Sequence, residues 1–201
     1  MSEPTRSERT RATILDAAAE VMHAKGMAHA TTKEIARVAG YSEATLYKHF
    51  ADKTELLLAV LAHRFPPFIS SLIAMQDQVG QGSVHDHLVA LSVDAVAFYR
   101  HGSPMLGSLF SEPVMLQRHR DGLRQREAGP MAANRLLASY LTAEQERGRL
   151  PSQIDAEAVA ALLLGACFQR GFFEAFLNEP EQFPPLEDFA RDLVSSLRID
   201  A

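Results

Sequence analysis

Apolar positions recur with helical spacing along almost the whole chain. Ile14, Ala17, Ala18, Val21 and Met22 fall on one face, and the stripe stops at Lys25-Gly26, a basic residue and a glycine suited to a helix end, so a first helix is predicted there. Thr31 or Thr32 can cap a second helix, with Glu34 or Ile35 entering its first turn and Gly40 closing it after about two turns. Ser42 then caps a third helix that runs through Phe50. Further on, Pro66-Pro67, the glycines and serine of 80–83, Gly102 to Pro104, Gly129-Pro130, Pro151 and Pro184-Pro185 punctuate long segments rich in leucine, alanine and phenylalanine. No segment alternates as a strand does, and no repeat or low-complexity tract appears, so the expected fold is all-α.

The pair of short helices between Thr31 and Phe50 calls for an explanation, because a helix meant only for packing would run on. Two short helices joined by a three- or four-residue turn cross steeply, so that the first braces the second and the second protrudes. Ile35, Ala36, Ala39, Leu46 and Phe50 are expected on the inner face, with Thr45, Tyr47, Lys48 and His49 directed largely outward. A protruding helix with such hydrogen-bonding side chains fits the major groove of DNA.

Net charge qualifies this picture. The chain of 201 residues, 47% hydrophobic and 22% charged, suits one domain or a small domain joined to a larger one, and its net charge of -5 argues at first against an anionic partner. All four lysines, however, lie in the first 53 residues; residues 1–55 carry 8 basic and 8 acidic groups and the remainder 12 and 17. The acidity therefore belongs to the C-terminal part. The opening MSEPTRSERTR lacks the apolar core of a signal peptide, and the longest apolar run, Ala158 to Phe168, is short for a bilayer span, so a cytoplasmic protein without membrane contact is expected. The single cysteine, Cys167, rules out a disulfide framework and reads as a buried small hydrophobe.

The run TTKEIARVAGYSEATLYKHFADKTELL, Thr31 to Leu57, resembles the DNA-binding signature of TetR/AcrR-family transcriptional regulators, with Gly40, Ser42, the Leu46-Tyr47 pair, Phe50 and Lys53 at the family's spacing. The stretch ERGRLPSQIDAEAVAALLLGA is similar in style to the family's C-terminal regulatory domain. The resemblance implies an N-terminal three-helix helix-turn-helix domain over 1–53 and a larger helical effector-binding and dimerisation domain over 54–201. It implies a homodimer that sets Ser42 to Phe50 of each copy in a major groove of a palindromic operator. It also implies a regulator, more often a repressor, released from double-stranded DNA by a small, largely apolar effector.

Each candidate DNA-binding residue has a plainer alternative. Thr32 and Lys33 sit at a helix N-terminus that suits a phosphate, or serve only as part of the cap. Tyr47 and Lys53 match family positions that touch phosphates, or are surface residues. Thr45 and Lys48 can read base edges, and Lys48 can equally meet a phosphate. Ser42 and Ala44 complete the exposed start of the helix; His49 can donate to a phosphate or pack at the domain edge. Glu43 departs from the basic or small residue common in the family: it can accept from cytosine N4 or stabilise the helix N-terminus. Arg6, Arg9 and Arg11 read as an arm along the backbone or minor groove, or as solvated charge at a frayed terminus.

For the effector, the apolar candidates are Met75, Phe98, Tyr99, Met105, Leu106, Phe110, Met115, Leu116 and Phe172, with His119, Tyr140 and Gln169 as polar handles; core packing accounts for most of them. Pro66-Pro67 should end or kink the fourth helix and places a hinge near residues 64–68. The segments 131–147 and 156–177 are the candidates for pairing with their copies, with Ala161 and Gly165 permitting close approach and Leu162, Phe168, Phe172 and Phe176 filling the seam. Neither His119-Arg120-Asp121 nor His85-Asp86-His87 belongs to a catalytic or metal pattern, and Arg118, Arg120, Arg124 and Arg126 read as a solvated helix face. No metal, cofactor or catalytic residue is expected. A protein–protein adaptor, or an enzyme-like cavity without identifiable catalytic residues, stays open for the C-terminal part.

Overall fold

A computed structural model describes residues 4–26, 29–63 and 67–199, and every regular element among them is helical. The elements are α1 Arg6–Lys25, α2 Thr32–Ala39, α3 Glu43–His49, α4 Lys53–His63, α5 Phe68–Ala74, α6 Val84–Phe110, α7 Pro113–Gln125, α8 Pro130–Glu146, α9 Ala156–Leu177 and α10 Leu186–Ser196. Short 3-10 turns follow α5 (Met75–Gln78) and α9 (Pro180–Gln182). The chain forms two compact units, one of Met1–Phe65 with Pro104–Asp121, the other of Pro66–Ser103 with Gly122–Ala201.

In the first unit, α1 begins with a capping box: Glu8 N–H donates to Thr5 Oγ1 at 3.2 Å, and Thr5 N–H donates to Glu8 Oε2 at 2.7 Å. Arg6, Arg9 and Arg11 lie within this capped helix and not on a frayed terminus. Arg11 sits 4.8 Å above the ring of Phe50. Ile14, Leu15, Ala17, Ala18, Val21 and Met22 supply the α1 face of a core that includes Ile35 and Ala36 of α2, Leu46 of α3 and Leu56, Leu57 and Val60 of α4. α4 thus contributes three buried side chains to this core. Met105 and Leu109, at the end of α6, are buried in the same core.

α6 also departs from the sequence pattern. A break was expected at Gly102 to Pro104, yet one helix runs from Val84 to Phe110 with Pro104 inside it. Proline removes one N–H from the ladder and costs on the order of 3 kcal/mol in a helix interior. The burial of Met105 and Leu109 just beyond it supplies an opposing gain of about 1.5–3 kcal/mol for each side chain. The break expected at Pro66-Pro67 falls largely on residues 64–66, outside the described ones; α4 is described as far as His63, and Pro67 precedes α5.

The second unit is built on α9, whose inner face presents Val159, Ala160, Leu163, Leu164, Cys167 and Gly171. Asp155 caps its start by accepting from Glu157 N–H and Ala158 N–H, and Asn178 ends it in the left-handed region at φ 52°. Phe68 and Leu72 of α5, Leu88, Leu91 and Val96 of α6, Leu137, Tyr140 and Leu141 of α8 and Val194 of α10 complete the core. Burial pushes the Cys167 thiol up to about 12, so at neutral pH it is a packed, protonated group. α9 is longer than the apolar run read from the sequence: with 22 residues and a mean hydropathy of 1.3 it could cross a membrane by length and composition alone. Its buried Arg170 donates to Glu174 Oε1 at 2.5 Å and to the Pro184 carbonyl at 2.7 Å, between the rings of Phe183 and Phe189.

The crossing of α6 and α9 turns on one residue. A Cβ at Gly171 would stand 2.7 Å from Arg100 N, 2.8 Å from the Val96 carbonyl oxygen and 2.9 Å from Tyr99 Cβ, contacts that only a shift of backbone can relieve. Gly171→Ala should therefore destabilise the protein by about 1–3 kcal/mol, despite the better helix propensity of alanine. Urea unfolding of the two proteins measures this, and an unchanged or raised midpoint would contradict the close crossing.

Candidate nucleic-acid interface

α2 and α3 are held at their angle by a turn of three residues, Gly40, Tyr41 and Ser42. Gly40 adopts φ 74°, ψ 24°, its N–H donating to Arg37 O, while Tyr41 N–H donates to Ala36 O at 2.9 Å; this pair of bonds is the Schellman closure of a helix. The space beside Gly40 is open, so the requirement for glycine is the left-handed backbone alone. Ser42 Oγ accepts from Thr45 N–H at 3.1 Å and starts α3 at once. Beneath α3, Leu46 and the following Phe50 are almost fully buried, and they fix which face of the helix is turned out.

That outer face carries the expected residues. Ala44, Tyr47 and Lys48 are exposed, and Glu43, Thr45 and His49 are half-buried. On α2, Lys33 is exposed and Thr32 half-buried, with Thr31 rather than Thr32 acting as the cap. Lys53 is half-buried at the first position of α4. The two acids of α2 and α3 are both engaged inside the unit: Glu34 pairs with Lys25 of α1 at 2.7 Å, and Glu43 Oε1 accepts from Thr32 Oγ1 at 2.7 Å. The exposed charged side chains of these two helices are then Lys33, Arg37 and Lys48, all basic. This local balance is hidden in the chain's net charge.

Two exposed residues escaped the sequence reading. Arg37 lies one turn after Lys33 on α2, and Tyr41, 39% exposed, stands in the turn itself. The i, i+4 spacing of Lys33 and Arg37 was the available signal. At the start of α4, Asp52 Oδ1 accepts from Glu55 N–H at 2.7 Å and Asp52 Oδ2 meets Arg118 of α7 at 3.0 Å. These two partners, the Glu55 N–H first, hold the Asp52 carboxyl below the usual carboxylate range. Arg118, expected on a solvated face, is thus partnered.

The twelve effector candidates are divided between the two units. Met105, Phe110, Met115 and His119 belong to the first unit, where Met105 is core and Phe110 is 66% exposed. In the second unit Met75 is core, Phe98 and Tyr99 meet Phe68 at ring distances of 5.3 and 5.8 Å, and buried Tyr140 exchanges a 2.8 Å hydrogen bond with His87 Nδ1. Burial pushes Tyr99 up to about 12. Gln169 and Phe172 face outward on α9. A groove of about 430 Å³ runs instead beside α6 and α10, lined by His85, Asp86, Val89, Ala90, Val93, Asp94, Glu187 and Arg191, none of them among the candidates.

The α9 candidates do share one face. Ala161, Leu162, Gly165, Phe168, Phe172 and Phe176 are all exposed, and the rings of Phe168, Phe172 and Phe176 stack along the helix at 6.2 and 5.8 Å. Phe173 and Leu177, both exposed, extend the patch beyond the residues expected. The outward positions of α8, by comparison, are mostly polar: Arg135, Ser139, Thr142 and Glu146.

A family model described as bacterial regulatory proteins, tetR family, matches residues 14–60. The chain is 30% identical over 148 residues to an uncharacterized HTH-type transcriptional regulator, YvkB, of Bacillus subtilis (strain 168), covering 74% of each chain. Among solved structures it is similar to a TetR-family transcriptional regulator from Mesorhizobium loti MAFF303099, with a TM-score of 0.73 and 21% identity over 96% of both chains. It is also similar to the Bacillus subtilis regulator FadR in complex with stearoyl-CoA, with a TM-score of 0.68 and 16% identity over 92% of this chain and 96% of that one.

Because Gly40 serves by backbone conformation and not by space, Gly40→Ala should cost about 1–2 kcal/mol, and Gly40→Asn, which tolerates the left-handed region, visibly less. Chemical unfolding of both variants checks this; equal losses would mean that something other than φ demands the glycine.

Proposed function

The chain belongs to the TetR/AcrR family of DNA-binding transcriptional regulators, and on that basis we propose that it is a cytoplasmic, homodimeric repressor that leaves a palindromic operator when a small, largely apolar effector binds. The observation that carries the DNA part is the α2–α3 surface, on which the exposed charges are all basic while both acids are engaged within the unit. Lys33, Tyr47 and Lys53, with Thr32 at the start of α2, are read as phosphate contacts, which position the protein; Ala44, Thr45 and Lys48 face the bases. Ser42 holds the start of α3, and His49 lies at the edge of the surface. Two such helices in a dimer should stand about 34–36 Å apart to meet successive major grooves.

The dimer reading rests on α9. An exposed ladder of phenylalanines beside Ala161 and Gly165 is a surface that water disfavours and that a second copy of the same helix can cover, since the open space beside Gly165 lets a backbone come close. The effector reading rests on the second unit, where the partly buried rings of Phe98 and Tyr99 beside Phe68 give an apolar lining. The FadR neighbour, captured with stearoyl-CoA, supports an apolar class of ligand. We read the molecule as a regulator and not as an enzyme or adaptor.

Selection of bound duplexes from a genomic fragment pool tests the DNA part, and recovery of an inverted repeat is the expected result. Lys48→Ala should change the sequence preference, costing about 1–3 kcal/mol at one base position if it reads a base; uniform weakening with a shallower salt dependence assigns it to a phosphate. Phe176→Asp, at a position 75% exposed and so harmless to the core, should weaken self-association by at least about tenfold in sedimentation. An unchanged dimer would remove α9 from the interface.

A further inference from the structure

Resting on the reading that the α2–α3 surface meets DNA phosphates, we infer that Glu43 is an intramolecular competitor of the DNA backbone. It holds the Thr32 hydroxyl, and through it that of Tyr47, until a phosphate displaces it. The direction of each hydrogen follows from the chemistry. A carboxylate only accepts, so the Thr32 hydroxyl hydrogen lies toward Glu43 Oε1 at 2.7 Å. Tyr47 donates in turn to Thr32 Oγ1 at 3.4 Å. Both hydroxyl hydrogens are thereby committed inward, along a chain that bridges α2 and α3.

A DNA phosphate is also an acceptor and needs those same hydrogens. Tyr47, half exposed and held by a long bond, turns outward at little cost. Thr32, half-buried and in a short charge-assisted bond, does not. Binding is therefore an exchange in which a phosphate enters and a carboxylate leaves. The leaving carboxylate stays at the first position of α3, where the helix N-terminus favours negative charge, so its release does not undo the helix. The outcome is a site whose affinity for any duplex is set below what its donors allow, which eases departure from DNA.

The test is a double-mutant cycle with Glu43→Ala and Thr32→Val, read by titration of a fluorescent mixed-sequence duplex at several salt concentrations. Thr32→Val leaves the α2 cap in place, because Thr31 provides it. Glu43→Ala should tighten binding about tenfold in the otherwise wild-type protein and less than about twofold in the Thr32→Val background. Glu43→Gln, which loses the charge and keeps an acceptor, should gain less than Glu43→Ala, and it replaces Glu43→Ala in the cycle if circular dichroism shows the alanine variant misfolded. An equal gain in both backgrounds would mean that Glu43 acts by charge at a distance, and weaker binding by Glu43→Ala would make it a base contact; either result overturns the inference. A wild-type protein that binds no duplex at low salt would instead defeat the DNA reading, and this inference with it.

Discussion

A seven-residue helix has no stability of its own in water, since nucleation is costly and few bonds follow to recover it. α3 exists because Leu46 and Phe50 are buried beneath it. Everything at the candidate interface depends on that burial. It fixes the rotation of the helix, and hence which of Ala44, Thr45, Tyr47 and Lys48 reach the surface; the left-handed Gly40 and the Ser42 cap only set where the helix begins. The arginine of α1 that lies over the Phe50 ring ties the far side of the same anchor to the longest helix of the first unit's α1–α4 set.

α9 meets a similar constraint with two faces. Its inner side is narrow enough at Gly171 to admit the backbone of α6, and its outer side is apolar, with exposed Phe176 stacked on the ring of Phe172. A helix of this composition resembles a membrane span by hydropathy alone. The buried Arg170–Glu174 pair distinguishes it, because an ion pair in a half-buried helix needs the carbonyl and aromatic partners that the second unit supplies.

Much of the first unit was legible in the sequence because its signals are local. A glycine after two turns, a serine before the next helix and an apolar stripe ending at Lys25-Gly26 each act within a few residues, and α1 and α2 end, and α3 begins, where those signals stand. The start of α1 was not legible, because Thr5 and Glu8 form a capping box whose members look, singly, like ordinary polar residues. α6 was misjudged for the opposite reason: Gly102 and Pro104 are strong local breakers, and they are overridden by burial of Met105 and Leu109 among residues distant in sequence. Effector candidates were the least legible. Methionine and aromatic side chains at helical spacing look alike whether they fill a core, as Met75 and Met105 do, or lie open, as Phe110 does. The engagement of Glu43 by Thr32 was likewise invisible, since it spans two helices.

The surroundings of Arg170 bear on how the chain is made. Its charge is compensated by Glu174, by the Pro184 carbonyl and by the rings of Phe183 and Phe189, all of which follow it in the sequence. Until residues 171–189 have all been added, this guanidinium lacks part of that set, Glu174 arriving first and Phe189 last, and burying it without partners would be costly. The full set of groups around Arg170 therefore exists only once Phe189 has been made, whereas the α1–α4 part of the first core is encoded within the first 60 residues.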